Sequence, residues 1–177
     1  MKRQNRRSFL KTSIVGSAGL VVLPNLMPRS LFAADAPSKR INVALIGCGR
    51  EGRADVEGTM AHPLSRIVAV CDLDSKRLTA AQQLIENFYK KQGESNVSIK
   101  TYHDYHEVLA RPDVDAVIVS VPDHQHALVA STAAIAGKHI YVQKPLTYSI
   151  AESIALRTVV RAKKVILQAG SQQRSEH

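Results

Sequence analysis

RINVALIGCGREGRADVEG, residues 40–58, runs from an apolar stretch through closely spaced glycines into a segment with helical spacing. Within it, Gly47-Cys48-Gly49-Arg50-Glu51-Gly52 is G-x-G-x-x-G at the join of a strand and a helix. The spacing has a physical basis. Gly47 permits a tight turn, Gly49 lets the backbone approach a pyrophosphate, and Gly52 lets the helix pack against the strand. The helix N-terminus, with Arg50 and Glu51 in its first turn, then offers free N–H groups and a positive dipole end to phosphates. Alone this motif is weak, so its surroundings decide its meaning.

Working outward, the chain alternates strand and helix. Apolar runs at residues 40–47, 66–72, 114–121, 139–142 and 165–169 read as strands buried on both faces, with a shorter strand near 97–101 after a polar loop. Helical spacing occupies 51–61, 75–91, 105–110, 124–136 and 149–163. Ser75, Asp123 and Ser149 stand at N-cap positions, and Gly137 stands where the fourth helix ends. This predicts an α/β fold, a Rossmann-type doubly wound parallel sheet over residues 38–170, with its ligand at the carboxyl ends of the strands. Asp72 closes the second strand twenty residues beyond Gly52, where a carboxylate accepts hydrogen bonds from ribose hydroxyls. The expected cofactor is NAD or NADP. Asp72 favours NAD because it repels a 2′-phosphate, while nearby Lys76 and Arg77 weaken that preference.

The first 36 residues stand apart. Asn5-Arg6-Arg7-Ser8-Phe9-Leu10-Lys11 precedes an uncharged, small-residue-rich stretch, 12–27, that is too short for a comfortable membrane span. The paired arginines resemble the twin-arginine class of export signal, with the signal ending near residues 33–38. The expected location is therefore the periplasm, or otherwise outside the cytoplasm, with the twin-arginine machinery as a partner. Six of the 24 basic residues and one of the 15 acidic ones lie in that segment, which leaves 18 against 14 and reduces a net charge of +9 to +4. No basic run argues for nucleic acid.

Two cysteines, Cys48 and Cys71, make no disulfide framework; two buried thiols is the simpler reading, although both fall at strand ends where a bridge is conceivable. His124 and His126 form His-x-His without a third ligand of fixed spacing, so no metal is expected. Tyr102, His103, Tyr105 and His106 read as a helix start rather than a site.

GCGREG at 47–52, VCDLD at 70–74, VPDHQHA at 121–127, AGKHIYVQKPL at 136–146 and QAGSQQR at 168–174 together resemble the Gfo/Idh/MocA oxidoreductases, the family of glucose-fructose oxidoreductase and inositol dehydrogenase. The resemblance implies that Val121, Pro122, Asp123 and His126 line the nicotinamide end of the cofactor. It implies likewise that Gln143, Lys144 and Pro145 match the family's Glu-Lys-Pro, with Lys144 catalytic and in contact with cofactor and substrate hydroxyl. Gln143 departs from the usual glutamate, removing a negative charge beside Lys144. Family members add a second, mostly β domain that supplies the substrate pocket. This chain ends near the linker into it, residues 171–177, and is expected to be a fragment, a truncated product or a reduced protein.

The expected function is hydride transfer to or from a sugar, polyol or related carbohydrate, by an enzyme that is a homo-oligomer when intact. Because nicotinamide coenzymes are scarce outside the cytoplasm, export implies a tightly bound cofactor recycled in place. An NAD-dependent glycosidase-type redox enzyme and a non-catalytic nucleotide-binding module are the alternatives.

Overall fold

A computed structural model of the chain describes residues 40–171. The expected export signal and residues 172–177 of the expected linker lie outside the described residues. Six parallel strands, β1 (Ile41–Ile46), β2 (Ser65–Cys71), β3 (Lys100–Tyr102), β4 (Ala116–Val119), β5 (His139–Val142) and β6 (Leu167–Ala169), pair in the order β3-β2-β1-β4-β5-β6. Five α-helices connect them: α1 (Arg50–Met60), α2 (Ser75–Lys91), α3 (Tyr105–Leu109), α4 (His126–Ile135) and α5 (Ile150–Lys163). The expected doubly wound sheet is the fold observed.

Alternation within β1 explains why both faces must be covered. Val43 and Leu45 join one core with Val56, Ile67, Val70, Leu78 and Ile85, beneath α1 and α2. Ala44 and Ile46 join the other with Val117, Val119, Val129, Ile140 and Leu156, beneath α4 and α5. Side chains of period 2 on a strand wholly excluded from water require an apolar partner on each side, so the run reads as continuous in the sequence.

Two caps differ from the sequence reading. Asp74, not Ser75, caps α2, its carboxylate accepting from the Lys76 and Arg77 N–H groups. Asp123 caps no helix; it begins a 3₁₀ turn, Asp123–Gln125, that follows Pro122 and delays α4 to His126. Ser149 does cap α5, reciprocally with Glu152, and Gly137, with φ of +78°, follows the end of α4.

The two cysteines belong to opposite faces, Cys48 to the α1/α2 core and Cys71 to the α4/α5 core. Both are free thiols, so the conceivable bridge is not formed. Burial, with the Asp72 carboxylate nearby as a second cause, pushes each thiol up to about 12.

Candidate functional site

β1 lies between β2 and β4, so the connections leave it on opposite sides and a crevice opens at the carboxyl ends of these strands. A cleft of about 870 Å³ occupies this place. Gly47, Gly49, Arg50, Glu51, Asp72, Val121 and Pro122, all candidates from the sequence, line it.

The glycines divide by what surrounds them. Gly47 has φ of +96°, and a Cβ there would strike the Ser120 carbonyl; a Cβ on Gly52 would strike the Gly47 carbonyl oxygen. These two are required by the fold itself. Gly49 is different, because the nearest atom to an added Cβ is Arg77 Nη1 at 4.0 Å. The protein tolerates a side chain at Gly49; only an occupant of the cleft would not. Gly49 is also the N-cap of α1 and contributes no side-chain bond, which leaves the first amides of the helix for a ligand.

Asp72 braces this loop. Its Oδ2 accepts from the Cys48 N–H at 2.6 Å and its Oδ1 from the Asp74 N–H at 2.8 Å. A carboxylate has roughly four lone-pair sites, so two remain toward the cleft. Arg77 is on the cleft wall with Asp74, its Nε 3.8 Å from the Asp74 carboxylate. The N–H groups of Lys76 and Arg77 hold the Asp74 carboxyl below its ordinary value.

The remaining candidates lie beside this cleft rather than on its wall. β4 and β5 pair at Val119 and Val142, so the turns after them run side by side. Asp123, Lys144 and Pro145 are exposed there. His126 is not on the surface at all: it is 1 % exposed, with Nε2 2.8 Å from the Val121 carbonyl and Nδ1 2.6 Å from the Pro145 carbonyl. It ties the two turns together. An apolar helix packed on two strands turns its first residue inward, which a motif match does not reveal.

Gln143 is buried, 3 % exposed, and faces α1. Its Nε2 donates to both oxygens of Asp55, at 2.8 and 3.0 Å, and its Oε1 accepts from the Lys144 N–H at 3.0 Å. Ser120 Oγ donates to the same carboxylate at 2.8 Å. The glutamine therefore does not leave this region neutral, since a carboxylate stands behind it at Asp55. Burial raises the Asp55 carboxyl above its ordinary value, against the donors Ser120 and Gln143.

Sequence reasoning missed Asp55 and several wall residues, among them Ser120, Gln125, His103, Asp104 and Tyr105. His103, Asp104 and Tyr105 do begin a helix, with Asp104 as its cap. They also reach the cleft because β3 has three residues and delivers the next turn to the crevice mouth. The signal for Ser120 was available: it directly follows a buried strand at the predicted ligand edge.

The family model described as "Oxidoreductase family, NAD-binding Rossmann fold" matches residues 41–171. A glycosyl hydrolase family 109 protein of Shewanella sp. (strain ANA-3) is 32% identical over 161 residues, covering 84% of this chain and 35% of that protein. Among solved structures, an NAD-binding protein from Listeria innocua is 26% identical with a TM-score of 0.65, over 77% of this chain and 36% of that one. A 3-ketoreductase from Actinomadura kijaniata, solved with TDP-benzene and NADP, is 28% identical with a TM-score of 0.61, over 74% and 37% of the respective chains. The chain thus spans about a third of the length of the relatives it matches.

Proposed function

This chain belongs to the Gfo/Idh/MocA oxidoreductase family through its NAD-binding Rossmann fold, and from that premise we propose that it is the coenzyme-binding part of an exported enzyme acting on a sugar, polyol or related carbohydrate. The observation that carries the proposal is the open backbone at Gly49, facing the same cleft as the uncapped start of α1 and the Asp72 carboxylate. A pyrophosphate fits against amides with no side chain before them, and ribose hydroxyls fit against the free lone pairs of Asp72. NAD is the preferred coenzyme, with Arg77 the residue through which NADP is admitted.

A bound nicotinamide coenzyme supplies the hydride acceptor or donor. Lys144, on the exposed turn next to Val121–Pro122, takes the proton of the substrate hydroxyl as the adjacent C–H gives up its hydride, and returns it in the reverse direction. One C–H and one O–H bond are lost and a carbonyl is formed. His126 and Gln143 hold the turn that carries this lysine. The coenzyme stays bound through export by the twin-arginine route and is recycled in place.

Similarity to a glycosyl hydrolase family 109 protein favours a second reading of the same site. Transient oxidation of one sugar carbon acidifies the neighbouring C–H, elimination breaks the glycosidic bond and releases the aglycone as its alcohol, water adds to the unsaturated ketone that remains, and the hydride is then returned to the carbonyl. The two readings differ in their products: oxidoreduction leaves carbohydrate whose oxidation state has changed, whereas glycoside cleavage releases sugar at its original oxidation state.

Small molecules released on denaturing the protein, purified from cells that supply both coenzymes, test the proposal. Stoichiometric NAD is the expected result, and NADP alone would overturn the Asp72 argument. A protein that carries neither and binds neither when added would overturn the function.

A further inference from the structure

Asp55 is a half-buried carboxylate that joins three elements behind the coenzyme cleft. It sits on α1, three residues past Gly52; its donors are Ser120 at the end of β4 and Gln143 at the end of β5, 88 residues away in the sequence. Three donor contacts converge on it, from Ser120 Oγ and from Gln143 Nε2 to each oxygen. The chemistry of an amide makes this arrangement directional. Gln143 has one donor end and one acceptor end. A carboxylate at Asp55 accepts only from the donor end, so the oxygen end is left for the Lys144 N–H.

We infer that Asp55 is a positioning residue for Lys144: it fixes which way the Gln143 amide points, and the amide oxygen then holds the backbone of the lysine turn. Asp55 and Gln143 form a matched pair. A carboxylate at position 143 would stand about 3 Å from that of Asp55, where two like charges cannot both ionise. A neutral apolar residue at 55 would leave the buried Gln143 NH₂ without its acceptor, with the Lys144 N–H alone holding the oxygen end of the amide. The remaining ionisable groups facing Asp55 are Glu51 on its own helix and Tyr141 on β5. Burial of Asp55, which raises its carboxyl, is consistent with a charge kept for orientation rather than for stability.

This inference rests on the proposed role of Lys144, yet its physical part is testable without coenzyme. The Lys144 backbone amide and the Gln143 side-chain NH₂ are followed by ¹H–¹⁵N NMR against pH in the protein and in Asp55→Asn, Gln143→Glu and the double variant. The expected result is that both signals titrate together in the protein, at a pH above the ordinary aspartate value, and that the transition disappears in Asp55→Asn. Gln143→Glu alone shifts the Lys144 amide at neutral pH. The double variant restores it, because the amide introduced on α1 donates to the carboxylate introduced at the end of β5. If Gln143→Glu does not fold, Ser120→Ala serves in its place: it removes one donor from Asp55 and moves the shared transition to higher pH. A Lys144 amide unaffected by Asp55→Asn overturns the inference.

The catalytic part is read in the active holoenzyme, where Asp55→Asn is expected to lower kcat about tenfold with coenzyme affinity held within about twofold. Loss of coenzyme binding in the unsubstituted protein, with the NMR coupling intact, would overturn the proposed function and leave the pair standing. Normal binding without the coupling would do the reverse.

Discussion

At the level of single residues, the glycine loop separates two kinds of constraint that its motif presents as one. Gly47 and Gly52 are held by contacts inside the protein, Gly49 by none. Gly52→Ala is therefore expected to cost about 2–3 kcal/mol of stability, because the loop carbonyl has no room to move away from a new Cβ. Gly49→Ala should keep the fold to within about 1 kcal/mol while weakening NAD binding by about tenfold or more. Urea denaturation and equilibrium titration with NAD distinguish the two, and a Gly49→Ala protein that binds normally would remove the cleft from consideration as a pyrophosphate site. The Asp55–Gln143 pair shows the limit of sequence at this scale. Nothing local to either residue announces a partner 88 positions away, and the substitution of Gln for Glu reads as a lost charge until the fold brings Asp55 against it.

Among the secondary-structure elements, those whose local chemistry agrees with their packing were legible. The expected bounds of α2 and β5 are those observed, 75–91 and 139–142. Long amphipathic periodicity defines the first, and a short apolar run between turn signals the second. Caps were harder, since Asp74 and Ser75 are adjacent acceptors and periodicity cannot choose between them; the carboxylate accepts from two N–H groups at once and so takes the position. At α5 the choice was unambiguous, because Glu152 lies three residues beyond Ser149 and donors at both ends are satisfied. Ser149→Ala is expected to lower stability by about 1 kcal/mol, measured as a shift in urea midpoint at constant slope. α5 packs against α4, and Leu156 is the one residue of the helix that is fully buried. A helix with so narrow a buried face depends on its cap, and a Ser149→Ala midpoint equal to that of the parent protein would contradict that dependence.

For the whole molecule, the architecture was legible because alternating buried strands and amphipathic helices leave one economical way to bury both faces of a sheet. The electrostatic balance was not, since it depends on contacts made only in the fold. Asp113 and Glu94 are held below their ordinary values. Asp113 is lowered by its hydrogen bond with Arg111; at Glu94 burial, which raises the carboxyl, is outweighed by Arg66 and Arg40 together. Asp74 and Asp104 are lowered by the N–H groups they cap. These groups contribute stability that is present above their unfolded values, 3.8 for aspartate and 4.5 for glutamate, and lost as pH falls through the folded ones. Asp55 runs the other way. Its folded value lies above 3.8, so the native state holds its proton longer than the unfolded chain, and stability declines as pH rises through that interval. Urea unfolding between about pH 2 and 7 should accordingly show steep loss below about pH 4, where the lowered carboxylates take up protons. Asp55→Asn removes only the opposing group. Its stability relative to the parent protein should therefore grow with pH across the carboxylate range and level off once Asp55 is ionised. A difference between the two proteins that is constant with pH would mean that Asp55 ionises no differently in the fold than out of it.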